Sequence, residues 1–530
     1  MTAATNKIRS IEKAIVAAKR KGLTDREIGK KFGVNFQEIE RAVTKVIGVN
    51  VSLPNRRTKA ISSLYPKVFS PETTTVWSFK SRGNWATHNG NYRGNWSPYI
   101  PRNVITRFSK EGQVILDCFC GSGATAIECK LLNRNFIGVD VNPGAIKMAK
   151  ENTGFTVNLS PSEKTKPRPK ITLKIGDARD LSFIHDRSVD LICTHPPYAD
   201  IIQYTDDKDK NKKNSRRQDL SFLEIEDFLG QVHNVARENH RVLKKDGHCA
   251  VLIGDMRKNK NVVPLGFRLI DIYLQSGFVL KELIIKRQHN CRTTGFWYKS
   301  SIKHNFLLLA HEYLAVFRKD DGAAYAATSS PTKADPPLSV GIEEDDDNNS
   351  NNSEHKRNVS AIGRADDGKL ETTTVWIFQP SDWYQSVLRN LVQRYNGQDH
   401  FVIFRGKEAA MVDHHQSHSM VMWDLLESKS VLNPDAKDIE GVLDRVNDGG
   451  YLAILCNDKR QKDGTIFPSA LNITKAFGSA GPLRIKEIIV VSPESSGCPP
   501  EMNNNSAGDD NLNINHKYVL VYQKRVSQPD

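Results

Sequence analysis

The sequence predicts an α/β protein built on a doubly wound, Rossmann-like sheet, with a helix-turn-helix in front and a second, diverged α/β domain behind. Three observations carry this. From residue 114 onward, short apolar runs alternate with helical stretches. The first of these runs enters a glycine turn. And a block beginning at Glu72 returns, in the same order, beginning at Glu371.

In chain order, residues 1–50 read as a small helical domain. In KGLTDREIGKKFGVNFQEIERAV, Thr24 and Glu27 make a capping box and Ile28 is a buried position. Gly33 suits a turn, and Asn35 can cap a second helix carrying Ile39, Ala42 and Val43. Such a pair either lays its second helix in a major groove or packs as a plain helical hairpin. Residues 51–71 are a linker. Residues 72–320 form the first α/β domain, with apolar runs VILDCF, FIGVD, ITLKIGD, DLICTHPP and CAVLIGD separated by helical ATAIECKLL, PGAIKMAKEN and the amphipathic stretch 221–244. FVLKELIIK and YLAVFRK end it and suit an antiparallel edge. Residues 321–369, with EEDDDNNSNNSE, read as a disordered acidic, Asn-rich linker. Residues 370–526 repeat the first domain: ETTTVWIF matches ETTTVWSF, GGYLAILCNDKR matches DGHCAVLIGDMR, and HKYVLVYQK matches HEYLAVFRK.

The 530 residues carry a net charge of +14, which fits a polyanionic partner. Basic residues cluster at 157–170, 208–217 and 257–260. No run reaches the roughly 20 apolar residues of a membrane span. The N-terminus lacks the apolar core of a signal peptide, so a cytoplasmic location is expected. The eight cysteines, at 118, 120, 129, 193, 249, 291, 456 and 498, form no paired metal spacing and read as reduced thiols. Asp413-His414-His415-Gln-Ser-His418 has no matching ligand group nearby, so no metal is expected.

The chemistry concentrates in residues 114–198. Val114-Ile-Leu-Asp117-Cys-Phe119-Cys-Gly121-Ser122-Gly123-Ala-Thr125-Ala126 is a strand, a glycine turn and a helix start. Asp140 ends the next strand, where a carboxylate can accept both hydroxyls of a ribose. This pattern also fits a nicotinamide dinucleotide, with its acid about 20 residues on. Against that stand Asp117, which would face a pyrophosphate, and a third strand-end acid, Asp177. A sulfonium cofactor carries no phosphate and tolerates both acids. The next strand ends in Asp190-Leu-Ile-Cys-Thr-His195-Pro196-Pro197-Tyr198, whose two prolines rigidly fix a carbonyl direction.

These motifs resemble those of the DNA amino-methyltransferases that act on adenine N6 or cytosine N4. The likeness covers about residues 72–319 and includes the segment around Trp96, Pro98 and Arg102-Asn103 ahead of the glycine loop. It implies a Rossmann-like methyltransferase sheet, an S-adenosylmethionine cofactor, double-stranded DNA as partner and a target base flipped out of the helix. It is the kind of enzyme found in restriction–modification. Cofactor contacts are expected from Asp117, Phe119, Gly121, Ser122, Gly123, Thr125, Asp140, Asp177, Trp96 and Pro98. The exocyclic amine is a poor nucleophile. The side chain at 195 and the Pro196 carbonyl would accept its two hydrogens and aim its lone pair, with Tyr198 stacking on the base. His195 departs from the family's Asp, Asn or Ser. A neutral imidazole accepts a hydrogen bond and a protonated one does not, and His leaves adenine and cytosine undistinguished.

Nucleic-acid contacts are expected from the aromatic, Arg- and Asn-rich segment with Arg82, Trp85, His88 and Tyr92, which could equally cap the pocket. Further contacts are expected from Arg216 and Arg217 in the loop after Tyr198, from Arg257, and from Arg292. Aligning the copies places Phe404 at Asp117 and Glu408 at Gly121, and no Pro-Pro-Tyr follows residue 371, so the second copy is expected to be a degenerate methyltransferase. Two rivals stand beside this reading: an RNA base methyltransferase and a noncatalytic DNA-binding regulator.

Overall fold

The computed structural model describes residues 11–18, 25–34, 42, 61–90, 92, 94–157, 167–198, 220–258, 261–289, 292–320, 370–395, 401–406, 417–427, 434, 436–478, 483–493 and 511–526. The 321–369 linker lies outside them.

Two helices come first, α1 (residues 11–18) and α2 (Asp25–Phe32). Gly33, at φ 65°, ends α2 in the left-handed conformation that glycine tolerates. Ile28 is buried with Ile15, Val16 and Ala42, and Trp297 from the first α/β domain packs on this cluster. The second helix expected from Asn35 onward falls, apart from Ala42, on residues outside the described ones.

The first domain follows as β1 (Val76–Ser78), α3 (Tyr99–Phe108), β2 (Val114–Asp117), α4 (Ala124–Leu131), β3 (Asn135–Asp140), α5 (Pro143–Asn152), β4 (Ile171–Ile175) and β5 (Val189–Thr194). It continues through α6 (Ile225–Val242), β6 (Leu243–Ile253), β7 (Met256–Lys258), β8 (Asn261–Val263), α7 (Leu265–Gln275), β9 (Phe278–Arg287), α8 (Arg292–Lys303) and β10 (His311–Lys319). Eight strands form one sheet in the order β1-β9-β10-β6-β5-β2-β3-β4. β10 runs antiparallel to both its neighbours, and the other pairings are parallel. β9 and β10 were expected at an antiparallel edge. They lie inside the sheet instead, because β1 docks parallel on β9 and covers it. The central strands bury both faces, which is why they read as continuous apolar runs. On α6, Phe228, Leu229, Val232, Val235 and Ala236 form the buried stripe that the helical period requires.

The second domain contains β11 (Val375–Phe378), α9 (Trp383–Tyr395), β12 (Phe401–Arg405), β13 (His418–Asp424), α10 (Ala436–Leu443) and β14 (Val446–Cys456). The short strands β15 (Lys459–Arg460) and β16 (Ile466–Phe467) pair as a ribbon, followed by α11 (Ser469–Gly478), β17 (Leu483–Pro493) and β18 (Lys517–Lys524). Its sheet order, β11-β17-β18-β14-β13-β12, is the first sheet's order with the last two strands missing. Among the described residues nothing corresponds to β3 and β4. The register also moves the sequence alignment by one residue. Leu116 pairs with Ile192 and Val402 with Val421, so Ile403 rather than Phe404 stands in the place of Asp117. Continuing β13 puts Asp424-Leu-Leu-Glu427 where the first copy has His195-Pro-Pro-Tyr198.

The two copies pack on each other reciprocally. Thr74 bridges to Asn513, and Thr373 to Leu308. The Thr75 hydroxyl meets His516 Nδ1 at 2.7 Å, and the Thr374 hydroxyl meets His311 Nδ1 at 2.9 Å. Arg257 pairs with Glu487, and Arg460 with Glu282. Most of the repeated residues thus serve this pseudo-two-fold contact or the framework behind it.

Candidate functional site

A cleft of about 750 Å³ opens at the C-terminal ends of β2, β3 and β5, where open parallel sheets bind ligands. It is lined by Tyr92, Trp96, Asp117, Phe119, Gly121, Asp140, Asp177, His195 and Pro197, among others. Gly121 (φ 49°) and Gly123 (φ 86°) turn the chain from β2 into α4. A Cβ on Gly121 would lie 2.9 Å from the Tyr92 ring, so only glycine lets the loop and this ring approach. Asp140 fastens the turn: its carboxylate accepts from the backbone N–H of Gly121 and of Asn142, each at 2.9 Å.

Asp117 is buried beneath the turn. It accepts from the Thr125 hydroxyl at 2.6 Å, the Thr194 hydroxyl at 2.7 Å and the Phe119 N–H at 3.1 Å. Burial raises its pKa to about 6 despite these bonds. Thr125, Ser122 and Gly123 are therefore supports under the cleft rather than part of its wall. Asp177 is held by a fork from Arg179, with contacts of 2.6 to 3.1 Å.

At the far end Trp96 stacks on His195, with ring centroids 5.7 Å apart and planes 19° from parallel. His195 Nε2 lies 3.3 Å from the Tyr198 hydroxyl, which itself donates to Glu312 Oε1 at 2.7 Å. Lys286 donates to the other oxygen of Glu312 at 2.7 Å. Burial would raise the Glu312 pKa, but Lys286, His195 and these hydrogen bonds hold it down at about 2. Burial lowers the pKa of His195 below its usual value, against the pull of Glu312. Glu312 and Lys286 escaped the sequence reading. The one available signal was a charged residue at the start of an otherwise apolar strand, HEYLAVF.

Four of the expected nucleic-acid contacts need correction. The indole N–H of Trp85 and the His88 Nε2 both meet Glu128 Oε1 at 2.7 Å, and both side chains are buried. Arg102 closes this cluster onto the same carboxylate. Trp85 and His88 thus fix the 82–96 segment onto α4 and have no face to offer a nucleic acid. Arg82 binds the carbonyls of Asn95 and Trp96, bracing the same segment. Arg257 is committed to Glu487 and the Leu307 carbonyl between the two copies. Tyr92 lines the cleft. Pro98, just ahead of α3, and Pro196 are absent from its wall. Arg216, Arg217 and the Arg292 side chain lie outside the described residues, as does the 413–416 part of the histidine cluster. His418 begins β13. Among the described residues no group of acids, His and Cys could hold a metal, and no helix is long and apolar enough to cross a membrane.

Comparison with protein families matches residues 15–151 and 189–417, more than half of the chain, to the DNA methylase family of the N6/N4 type. Residues 108–212, inside the first domain, also match a family described as RMKL-like, methyltransferase domain. The chain is 33% identical to the type II methyltransferase M.BglI of Bacillus subtilis over 14% of its own length and 23% of that protein's. It is 27% identical to the type II methyltransferase M.MjaI of Methanocaldococcus jannaschii over 27% of its length and 54% of that protein's. It is 33% identical to the tRNA (guanine(10)-N2)-dimethyltransferase of Methanothermobacter thermautotrophicus over 20% of its length and 29% of that protein's. The matched stretches thus span about half or less of these relatives.

Proposed function

The chain belongs to the DNA methylase family of the N6/N4 type, and from that premise we propose that it transfers a methyl group from S-adenosylmethionine to the exocyclic amino group of a cytosine (N4) or adenine (N6) flipped out of double-stranded DNA. The observation that carries this reading is the charge of the cleft. Asp117, Asp140 and Asp177 line it, and among the described residues neither Lys nor Arg does. A dinucleotide pyrophosphate would meet the carboxylates of Asp117 and Asp140, Asp177 being paired with Arg179, whereas a sulfonium beside an ammonium is suited to them.

In this reading Asp140 takes the ribose hydroxyls, Asp177 the adenine side, and Asp117 with Trp96 the methionine end. Phe119, Gly121, Ser122, Gly123 and Thr125 shape the loop. When bound, the cofactor supplies a methyl group on a positively charged sulfur. His195 and the Pro196 carbonyl accept hydrogen bonds from the target amine and aim its lone pair, Pro197 holds that carbonyl rigid, and Tyr198 stacks on the base. The loop with Arg216 and Arg217, the segment reaching Arg292, and the N-terminal helices contact DNA. Residues 72–320 are catalytic. Residues 370–526 are a degenerate copy that serves as a built-in partner.

An RNA base is the second reading, favoured by the alignment with the tRNA methyltransferase. Labelled methyl transfer onto unmethylated genomic DNA and onto tRNA separates the two. Label in DNA, located by methylation-sensitive sequencing as N4-methylcytosine or N6-methyladenine, supports the proposal. Label in tRNA alone overturns it.

A further inference from the structure

The two copies share their central reciprocal contacts and differ around Tyr198. Glu282 and Arg257 of the first copy return as Glu487 and Arg460, and His311 and Tyr313 return as His516 and Tyr518, with the same bonds. Glu312 returns as Lys517, and Lys286 as Val491, the residue that pairs with Trp376 as Lys286 pairs with Trp77. The Lys286–Glu312 ion pair is therefore unnecessary to the strand pair β9–β10 or to the contact between copies. It occurs only beside the site that carries the Pro-Pro-Tyr motif.

Hydrogen-bond direction gives it a task. The Tyr198 hydroxyl donates its single proton to Glu312, so its oxygen is left as an acceptor for His195 Nε2. A proton on Nε2 leaves Nδ1 of the neutral ring with a lone pair. Nδ1 is buried and meets no side-chain partner, and the backbone of Gly94 faces the ring. Resting on the methyl-transfer reading above, the geometry points to Glu312 as a positioning residue: through the Tyr198 hydroxyl it fixes the His195 proton on Nε2, so that Nδ1 is the acceptor offered to the target amine. Glu312 thereby equips an imidazole for the part that an Asp, Asn or Ser side chain plays without help. Lys286 keeps Glu312 ionised, so that Glu312 accepts from Tyr198 and does not donate to it.

The charged groups acting on His195 are Glu312, which favours its protonation, and Lys286 and Arg82, which oppose it; the Gly94 backbone also favours a proton on the ring. The test uses the full chain with 15N-labelled histidine, His195 being assigned by its loss in His195→Asn. The expected wild-type spectrum has a protonated Nε2 and an acceptor-like Nδ1. Glu312→Gln and Tyr198→Phe should each mix or invert that pattern. Each should lower kcat about tenfold, the effect of one misdirected hydrogen bond, while leaving S-adenosylmethionine affinity unchanged. Glu312→Gln should also move the acid limb of kcat to lower pH, because it removes the one neighbouring charge that favours protonation. If Glu312→Gln fails to fold, Tyr198→Phe and the wild-type spectrum decide the matter. A wild-type Nδ1–H form, turned toward Gly94, overturns the inference. So do variants with an unchanged spectrum and unchanged kcat. Absence of any methyl transfer by the wild type would overturn the functional reading instead, and the tautomer would still be measurable.

Discussion

Arg257 and Glu487 form an ion pair across the two copies, with the Glu487 side chain fully buried and that of Arg257 12% exposed. Glu487 also accepts the Leu307 N–H, so its two oxygens each have a partner. Removing one partner leaves a buried charge without compensation. Glu487→Ala is expected to destabilise the protein by about 3–5 kcal/mol, measured by urea unfolding. An Arg257→Met, Glu487→Leu double variant should recover much of that loss. Equal losses in the single and double variants would count against the pair as the cause.

A chain stopped after residue 325 would uncover Glu282, the 307–311 segment and the apolar surface of a core shared by both copies. Such a chain is expected to aggregate or to lose its cooperative unfolding transition. A soluble truncated protein with the full methyl-transfer rate would show that the second copy is dispensable.

The Asp117 carboxyl titrates at about 6 because it is buried. A cationic ligand favours its charged form, so binding should release a proton. S-adenosylmethionine affinity should be constant above pH 7 and fall as pH drops through 6. Titration calorimetry over pH 5 to 8 checks this. Asp117→Asn should weaken binding about tenfold and flatten the pH dependence.

His195 acts as an acceptor only while neutral, and burial lowers its pKa from 6.5. The sign is therefore that activity persists below pH 6.5 before the ring protonates. A kcat profile whose acid midpoint lies above 6.5 contradicts this, as would a His195→Asn variant with full activity and the same acid limb.

Gly121→Ala meets two obstacles, a φ of 49° and a Cβ 2.9 Å from the Tyr92 ring. The conformation alone costs an alanine about 1–2 kcal/mol. Thermal melting should fall and cofactor affinity should drop further. Pairing it with Tyr92→Ala should restore part of the melting temperature but not the affinity, because the left-handed turn remains strained.

The sheet was legible because period and punctuation are local properties. Apolar runs, the Gly121 turn and the strand-end acids each announce themselves within a few residues. What stayed hidden depends on partners far along the chain. Trp85 and His88 look like nucleic-acid contacts until Glu128, buried in the next helix but one, claims both. Arg257 reads as a nucleic-acid contact until the fold brings Glu487 to it. Glu312 matters through Tyr198, 114 positions earlier. The one-residue error at Phe404 has a related origin: the second copy's strand carries no acid or glycine to anchor an alignment, so strand pairing alone defines its register.

The reciprocal contact between the copies also changes what dilution can do. Two separate chains joined by buried ion pairs would come apart as their concentration fell. Here the partner is tethered by the 321–369 segment, so its effective concentration is set by tether length and not by abundance. The paired arrangement should therefore be as complete in a cell holding a few copies of the protein as in a concentrated solution. Its melting temperature should not depend on protein concentration.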